Sequence, residues 1–145
     1  MNRFTSIFLV LVQFTCLTFL FIRISFVNFS ALTYFLFFTG LFIGCYALFE
    51  MRKSKFSVFP SVRPGARVLT SGPYKFIRHP MYLAVLLTGF SCCVQSNRAV
   101  DYIVFFVLFS VLYAKIIFEE LMLIAVFPEY VHYLSSTKRI IPWVW

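Results

Sequence analysis

Long uncharged stretches separated by brief polar breaks dominate the chain. Phe4 to Ile22 and Ala31 to Phe49 each run about 19 residues without a charge, close to the ~20 that an α-helix needs to cross the hydrocarbon core of a bilayer. Met81 to Asn97 is slightly shorter. A fourth stretch starts at Tyr102, passes Lys115, Glu119 and Glu120, and ends at Phe127, so it is long and carries charge near one end. The pattern predicts one all-α integral membrane domain over residues 1–145, multi-pass, with about four transmembrane helices at approximate spans 4–22, 31–49, 81–97 and 102–127.

Composition strengthens that picture. The chain is 61% hydrophobic, 21% aromatic and 12% charged, about half the charged fraction of an ordinary soluble domain. Its 21 Phe residues in 145 positions are too many to hide in a globule that leaves roughly a third of its surface wet. Lipid is the natural solvent for them. Arg3 ahead of an apolar run resembles the start of a signal peptide. The run is longer than a usual signal core, is followed by Arg23 and shows no small-x-small cleavage site, so a retained helix is expected.

The net charge of +8 is concentrated. Arg52, Lys53, Lys55, Arg63, Arg67, Lys75 and Arg78 lie between the second and third stretches, against Glu50 alone. The connections around Asn28 and Ser96 hold only Arg23 and the Arg98–Asp101 pair. An excess of Lys and Arg marks a cytoplasmic loop, which puts both termini in the cytoplasm as well. Because the basic cluster borders two spans, membrane lipid headgroups are its expected partner, and nucleic acid is not.

Cys16, Cys45, Cys92 and Cys93 all fall in apolar stretches without metal-ligand spacing, so they read as small hydrophobes, with no disulfide and no metal expected. Gly40 and Gly44 form a G-x-x-x-G pair suited to close helix packing, more often within a chain than between chains. The polar region from Glu50 to His79 contains Pro60, Pro64, Gly65, Gly72 and Pro73, which rule out a continuous helix. Ser71-Gly72-Pro73 reads as a turn, and Pro80 suits the first turn of the third helix. From Pro128 onward, Glu129, Tyr130, His132, Tyr133, Lys138 and Arg139 suggest a short amphipathic surface piece, with Trp143 and Trp145 as interfacial aromatics.

Two polar constellations interrupt the apolar pattern. One is Gly72-Pro73-Tyr74-Lys75-Phe76-Ile77-Arg78-His79-Pro80-Met81-Tyr82, at the mouth of the third helix; the other is Glu119-Glu120, inside the fourth. Measured from Tyr102, Glu119 lies roughly 26 Å along the helix at 1.5 Å per residue. That depth is the level at which His79 enters the third helix, so the carboxylates and the Arg78-His79 corner share one level. Ionisable groups at such a depth usually face a bundle interior or a polar cavity. The plain alternative is that Lys115 pairs with Glu119 one turn away and both reach toward the interface, which leaves Glu120 unexplained.

Ser71 to Leu83 resembles the signature of the isoprenylcysteine carboxyl methyltransferase family, within a membrane superfamily that includes phospholipid N-methyltransferases. Glu119-Glu120-Leu121, Phe127, Glu129-Tyr130, Tyr133 and Arg139-Ile140-Ile141-Pro142 match in the same order and spacing, so the resemblance covers about residues 68 to 142. Ala84 and Pro128 stand where relatives commonly have Gly, and the first two helices contribute only hydrophobicity. The resemblance implies S-adenosyl-L-methionine as cofactor, held in a pocket formed by the cytoplasmic loop and C-terminal tail. Cofactor-binding residues carried over are Tyr74, Arg78, His79, Pro80, Tyr82, Glu119 and Glu120. Glu119 or Glu120 offers a counter-charge to the cation, Arg78 or His79 a donor to its carboxylate, and Tyr74 or Tyr82 a face or hydroxyl for adenosine. Arg139, Glu120 and His79 are the expected catalytic residues. A prenylcysteine carboxylate needs only a cationic anchor, assigned to Arg139, whereas a phospholipid amine needs a base such as Glu120 or His79. Both acceptors, a lipid or a lipidated small molecule or protein, stay open at this point. So do an NADPH-dependent sterol-type reductase and a non-catalytic membrane scaffold.

Overall fold

The computed structural model describes residues 3–24, 30–53 and 68–141. Expectations placed on Asn28, on Lys55, Pro60, Arg63, Pro64, Gly65 and Arg67, and on Pro142, Trp143 and Trp145 therefore lie outside the described residues. Helix α1 spans Arg3–Ile22, α2 Ala31–Lys53, α3 Pro80–Ser96, α4 Ala99–Val126 and α5 Tyr130–Ser136, with a 3-10 turn at Gly72–Lys75. Three of them, α1, α2 and α4, are long and apolar enough to cross a membrane, and α3 is a shorter apolar helix of 17 residues.

Local chemistry sets the ends of these helices. Pro80 occupies the first helical position of α3, where its fixed φ helps and its missing N–H costs no bond. Asn97 closes α3 in the left-handed conformation at φ 49°, returning its N–H to the Cys93 carbonyl at 2.9 Å. At the far end of α4, Phe127 turns extended ahead of Pro128, as a residue before proline prefers. Pro128 thus lies beyond the last helical turn and breaks no helix bond.

The bundle is apolar inside and out. Leu108, Leu112 and Ile116 repeat every four residues along α4 and meet Cys16 and Leu20 of α1 and Leu86, Cys92 and Cys93 of α3 in one buried cluster. Facing outward are Phe4, Phe8 and Phe14 on α1, Phe35 and Phe42 on α2, and Ile103 and Phe106 on α4. In water such a surface would aggregate, while in a bilayer it is solvated. The protein is an all-α, multi-pass integral membrane protein. Cys45 departs from its fellow cysteines by lying on the exposed side of α2.

Helices α2 and α3 approach most closely where α2 is smallest. A Cβ placed on Gly40 would stand 2.9 Å from Thr88 Cγ2 and 3.0 Å from the Ala84 carbonyl oxygen, and one on Gly44 would stand 3.3 Å from Ala84 Cβ. The G-x-x-x-G pair is therefore an internal packing face, and Ala84 fills the space its two glycines leave open. Polar ties fix α1 to α4: Arg23 Nε meets the buried Asp101 Oδ1 at 3.0 Å at one end, and Lys115 Nζ donates to Gln13 Oε1 at 2.7 Å further along.

The tail returns to the start of α3. Ile77 and Lys138 form a parallel bridge, in which Lys138 N–H donates to the Phe76 carbonyl at 3.3 Å and Arg78 N–H to the Lys138 carbonyl at 2.8 Å, and beyond it His79 N–H donates to the Arg139 carbonyl at 3.0 Å. Three backbone bonds thus set the register between the Arg78-His79 corner and Arg139.

Candidate functional site

The first constellation is positioned from below by α2. Glu50, buried near the C-terminal end of that helix, accepts a 2.6 Å hydrogen bond from Ser71 Oγ. Gly72 then takes φ +57°, and a Cβ there would fall 2.5 Å from Glu50 Cγ. Only glycine combines the left-handed backbone with that close approach. The turn carries Tyr74, whose carbonyl accepts the Tyr133 hydroxyl from α5. Burial, reinforced by the Glu119 charge, pushes the Tyr74 phenol up to about 12. Burial likewise raises the phenols of Tyr130 and Tyr133 on α5.

Arg78, His79, Glu119, Glu120 and Arg139 converge where α3 begins and α4 nears its end. Arg78 Nε lies 2.7 Å from Glu120 Oε1 and Arg139 Nε 3.0 Å from Glu120 Oε2, so each carboxylate oxygen holds one guanidinium. The His79 ring stands between the two acids, with Nδ1 3.7 Å from Glu119 Oε2 and Nε2 3.5 Å from Glu120 Oε1. Tyr82 stacks on that ring at 5.5 Å and 10° and donates its hydroxyl to Glu119. One helical turn after His79, the stacked pair and the two acids make a single connected polar group.

The sequence-derived residues divide by their surroundings. His79, Tyr82, Glu119, Glu120 and Arg139 are brought into one cluster, with Tyr74 beside it. Arg78 joins them, but its Nη1 also donates to the carbonyls of Leu134 and Thr137, and its side chain is 8% exposed. It is a strut between α4 and the tail through Nε and Nη1, and it also lines the cleft beside Glu120. Pro80 is fully buried and presents no surface to a ligand; its contribution is the start of α3. Glu50, Gln13 and Thr137 were not singled out by the sequence reading. The signal for Gln13 is a lone polar residue in an apolar run, and that for Glu50 a single acid at the head of a basic loop.

On the α4 side of Glu120 lies a cleft of about 300 Å³. Its walls are Ile117, Leu121 and Ile124 of α4 with Leu134 of α5, and Arg78, Glu120 and Arg139 form its polar end. Leu121 and Ile124 are exposed on the outer surface of the bundle, so the apolar wall is continuous with the lipid-facing side of the helix.

The Lys115 ammonium forms no contact pair with Glu119, although the two charges still feel each other. It sits 5.1 Å over the Tyr82 ring and donates to Gln13, so the simple helix-surface pair expected from the i, i+4 spacing does not form. Glu120, which that pair would have left alone, is instead the most heavily bonded acid of the cluster.

A family model described as the isoprenylcysteine carboxyl methyltransferase family matches residues 31–125. No curated protein and no solved structure matches the chain. The match takes in α2 as well as the Arg78-His79 and Glu119-Glu120 motifs, and it stops ahead of Arg139. It covers about two thirds of the chain, and with the membrane bundle described above it places this protein in the isoprenylcysteine carboxyl methyltransferase family.

Proposed function

We propose that the chain uses S-adenosylmethionine to methylate the carboxylate of a lipid-modified acceptor, of the isoprenylcysteine kind, that enters from the bilayer. The observation that carries this reading is the double pairing of Glu120, one oxygen on Arg78 and the other on Arg139. A carboxylate held by two guanidiniums is a poor proton acceptor. An amine acceptor must lose a proton before it is methylated, and an ionised carboxylate needs none removed. Arg139, 28% exposed at the end of an apolar cleft, suits an anionic head with a greasy tail.

The residues present also suit the cofactor. Glu119 is 31% exposed and offers a negative charge to a cationic ligand. His79 Nε2 is buried 3.5 Å from Glu120 Oε1 and backs the acids, so the donor to a ligand carboxylate falls to the Arg78 guanidinium, which lines the cleft. Tyr74, half-buried beside the cluster, gives adenosine a flat face and a hydroxyl. Bound there, S-adenosylmethionine supplies a methyl group already activated by its sulfonium. The chain's own part is to orient the acceptor carboxylate with Arg139, fix Arg139 through Glu120, and keep water away with the apolar walls. The basic segment before α3 supports a cytoplasm-facing site with both termini on that side.

Protein in liposomes containing phosphatidylethanolamine, given methyl-labelled S-adenosylmethionine and N-acetyl-S-farnesylcysteine, tests the reading. Label in the farnesylcysteine product, released as methanol by base, supports a carboxyl methyl ester. Base-stable label in phosphatidylethanolamine instead would make the protein an N-methyltransferase.

A further inference from the structure

Lys115 and Glu119 stand one turn apart on the same face of α4, the arrangement in which a lysine ordinarily neutralises a glutamate. Here the ammonium reaches across to α1 and gives a 2.7 Å hydrogen bond to Gln13 Oε1, a buried amide in the middle of that helix. Its second support is the Tyr82 ring, 5.1 Å away. Glu119 meanwhile accepts from the Tyr82 hydroxyl and has the His79 ring 3.7 Å away. The cation nearest to Glu119 in sequence is thus anchored on another helix, short of a contact pair but still within the field of the acid.

We propose that Gln13 is a positioning residue for the site: by holding the Lys115 ammonium on α1, it keeps the Glu119 charge available to a cationic cofactor. The inference rests on the S-adenosylmethionine reading above and extends it to a helix outside the family match. A lysine has four rotatable bonds and no fixed fork, so its head goes to the best acceptor in reach. In an apolar bundle an ammonium without an acceptor is costly. Remove the Gln13 carbonyl, and Glu119, one turn away on the same helix, is the charged acceptor within reach. The side chain that now leaves the acid open would then occupy it. No contact between Gln13 and the cofactor is required, since the effect passes through Lys115.

The prediction is an electrostatic competition, which a packing defect would not reproduce. S-adenosylmethionine carries one more positive charge than S-adenosylhomocysteine, so a newly formed Lys115–Glu119 pair penalises the first far more than the second. In detergent-purified full-length protein, Gln13→Leu is expected to weaken S-adenosylmethionine binding about tenfold, the scale of one partly screened charge pair, and S-adenosylhomocysteine binding less than about twofold. Gln13→Glu retains an acceptor for Lys115 and should bind both ligands as the parent does. The double variant Gln13→Leu/Lys115→Met has no ammonium to misplace and should regain S-adenosylmethionine affinity. Equal losses of both ligands in Gln13→Leu, no loss at all, or failure of the double variant to recover would each overturn the proposal. A parent protein that binds S-adenosylhomocysteine but not S-adenosylmethionine, or neither, would overturn the cofactor reading and this inference with it.

Discussion

Arg78 and Glu120 meet at 2.7 Å with side chains only 8% and 7% exposed, the more enclosed of the two guanidinium pairs that Glu120 makes. It joins the first residue pair of the α3 motif to the penultimate turns of α4, and Arg78 Nη1 extends the same contact to the Leu134 carbonyl at 3.2 Å. A pair so enclosed repays desolvation only when its remaining donors and acceptors are filled. Here the tail and Arg139 fill them.

Glu120→Gln should therefore cost more than one hydrogen bond. Two guanidiniums lose their counter-charge, and one of them is enclosed. We expect a stability loss of about 3 kcal/mol and a fall in methyl-transfer kcat/KM of at least about 100-fold. Thermal unfolding in detergent and a steady-state assay measure the two. A variant with parental melting and parental turnover would show that Glu120 holds nothing together.

Tyr133→Phe removes the hydroxyl that α5 donates to the Tyr74 carbonyl while leaving the buried ring in place. The expected cost is about 1 kcal/mol, the usual net value of one such bond. Amide exchange should rise in residues 74–79 and 137–139 together, because the bridge at Ile77 and Lys138 ties those segments. Faster exchange in α5 alone would show that the tail and the motif loop are not coupled.

Gly72→Ala should be damaging despite its small size. The left-handed backbone costs an L-residue roughly 1–2 kcal/mol, and the new methyl would lie 2.5 Å from Glu50 Cγ. Adding Glu50→Ala removes the clash but also the 2.6 Å bond from Ser71, so the double variant should recover only part of the lost melting temperature. Full recovery would mean that the Glu50–Ser71 bond contributes nothing.

Alkaline stability should report on Tyr74. Its phenol is raised from an ordinary 10 to about 12 by burial first and Glu119 second. Below pH 10 the phenol is protonated whether the chain is folded or not. Between pH 10 and 12 the unfolded chain releases the proton and the folded chain keeps it, so the stability Tyr74 contributes is lost as pH rises through that window. Melting temperature against pH should fall less steeply above pH 10 in Tyr74→Phe than in the parent. Superimposable curves would contradict the raised value.

Much of the architecture was legible because lipid imposes length and apolarity on a helix. The runs beginning at Phe4 and Ala31 announced α1 and α2 directly. The shared level of His79 and Glu119 was legible too, since helix rise converts sequence distance into depth. What could not be read was rotation about the helix axis. Spacing alone paired Lys115 with Glu119, whereas the neighbouring Gln13 on α1 captures the ammonium. The role of Arg78 was hidden for a related reason: its acceptors at Leu134 and Thr137 are backbone carbonyls, which every residue has and no motif displays. Glu50 looked like one acid among many loop cations, and only the approach of α2 to Gly72 gives it a place.

Calorimetric titration of the detergent-purified protein with S-adenosylmethionine, with NADPH in parallel, tests the central claim most directly. Micromolar binding of S-adenosylmethionine, lost in Glu119→Gln and absent for NADPH, is the expected result. Folded protein that binds NADPH, or neither ligand, would contradict the account and return the site to the reductase or scaffold readings.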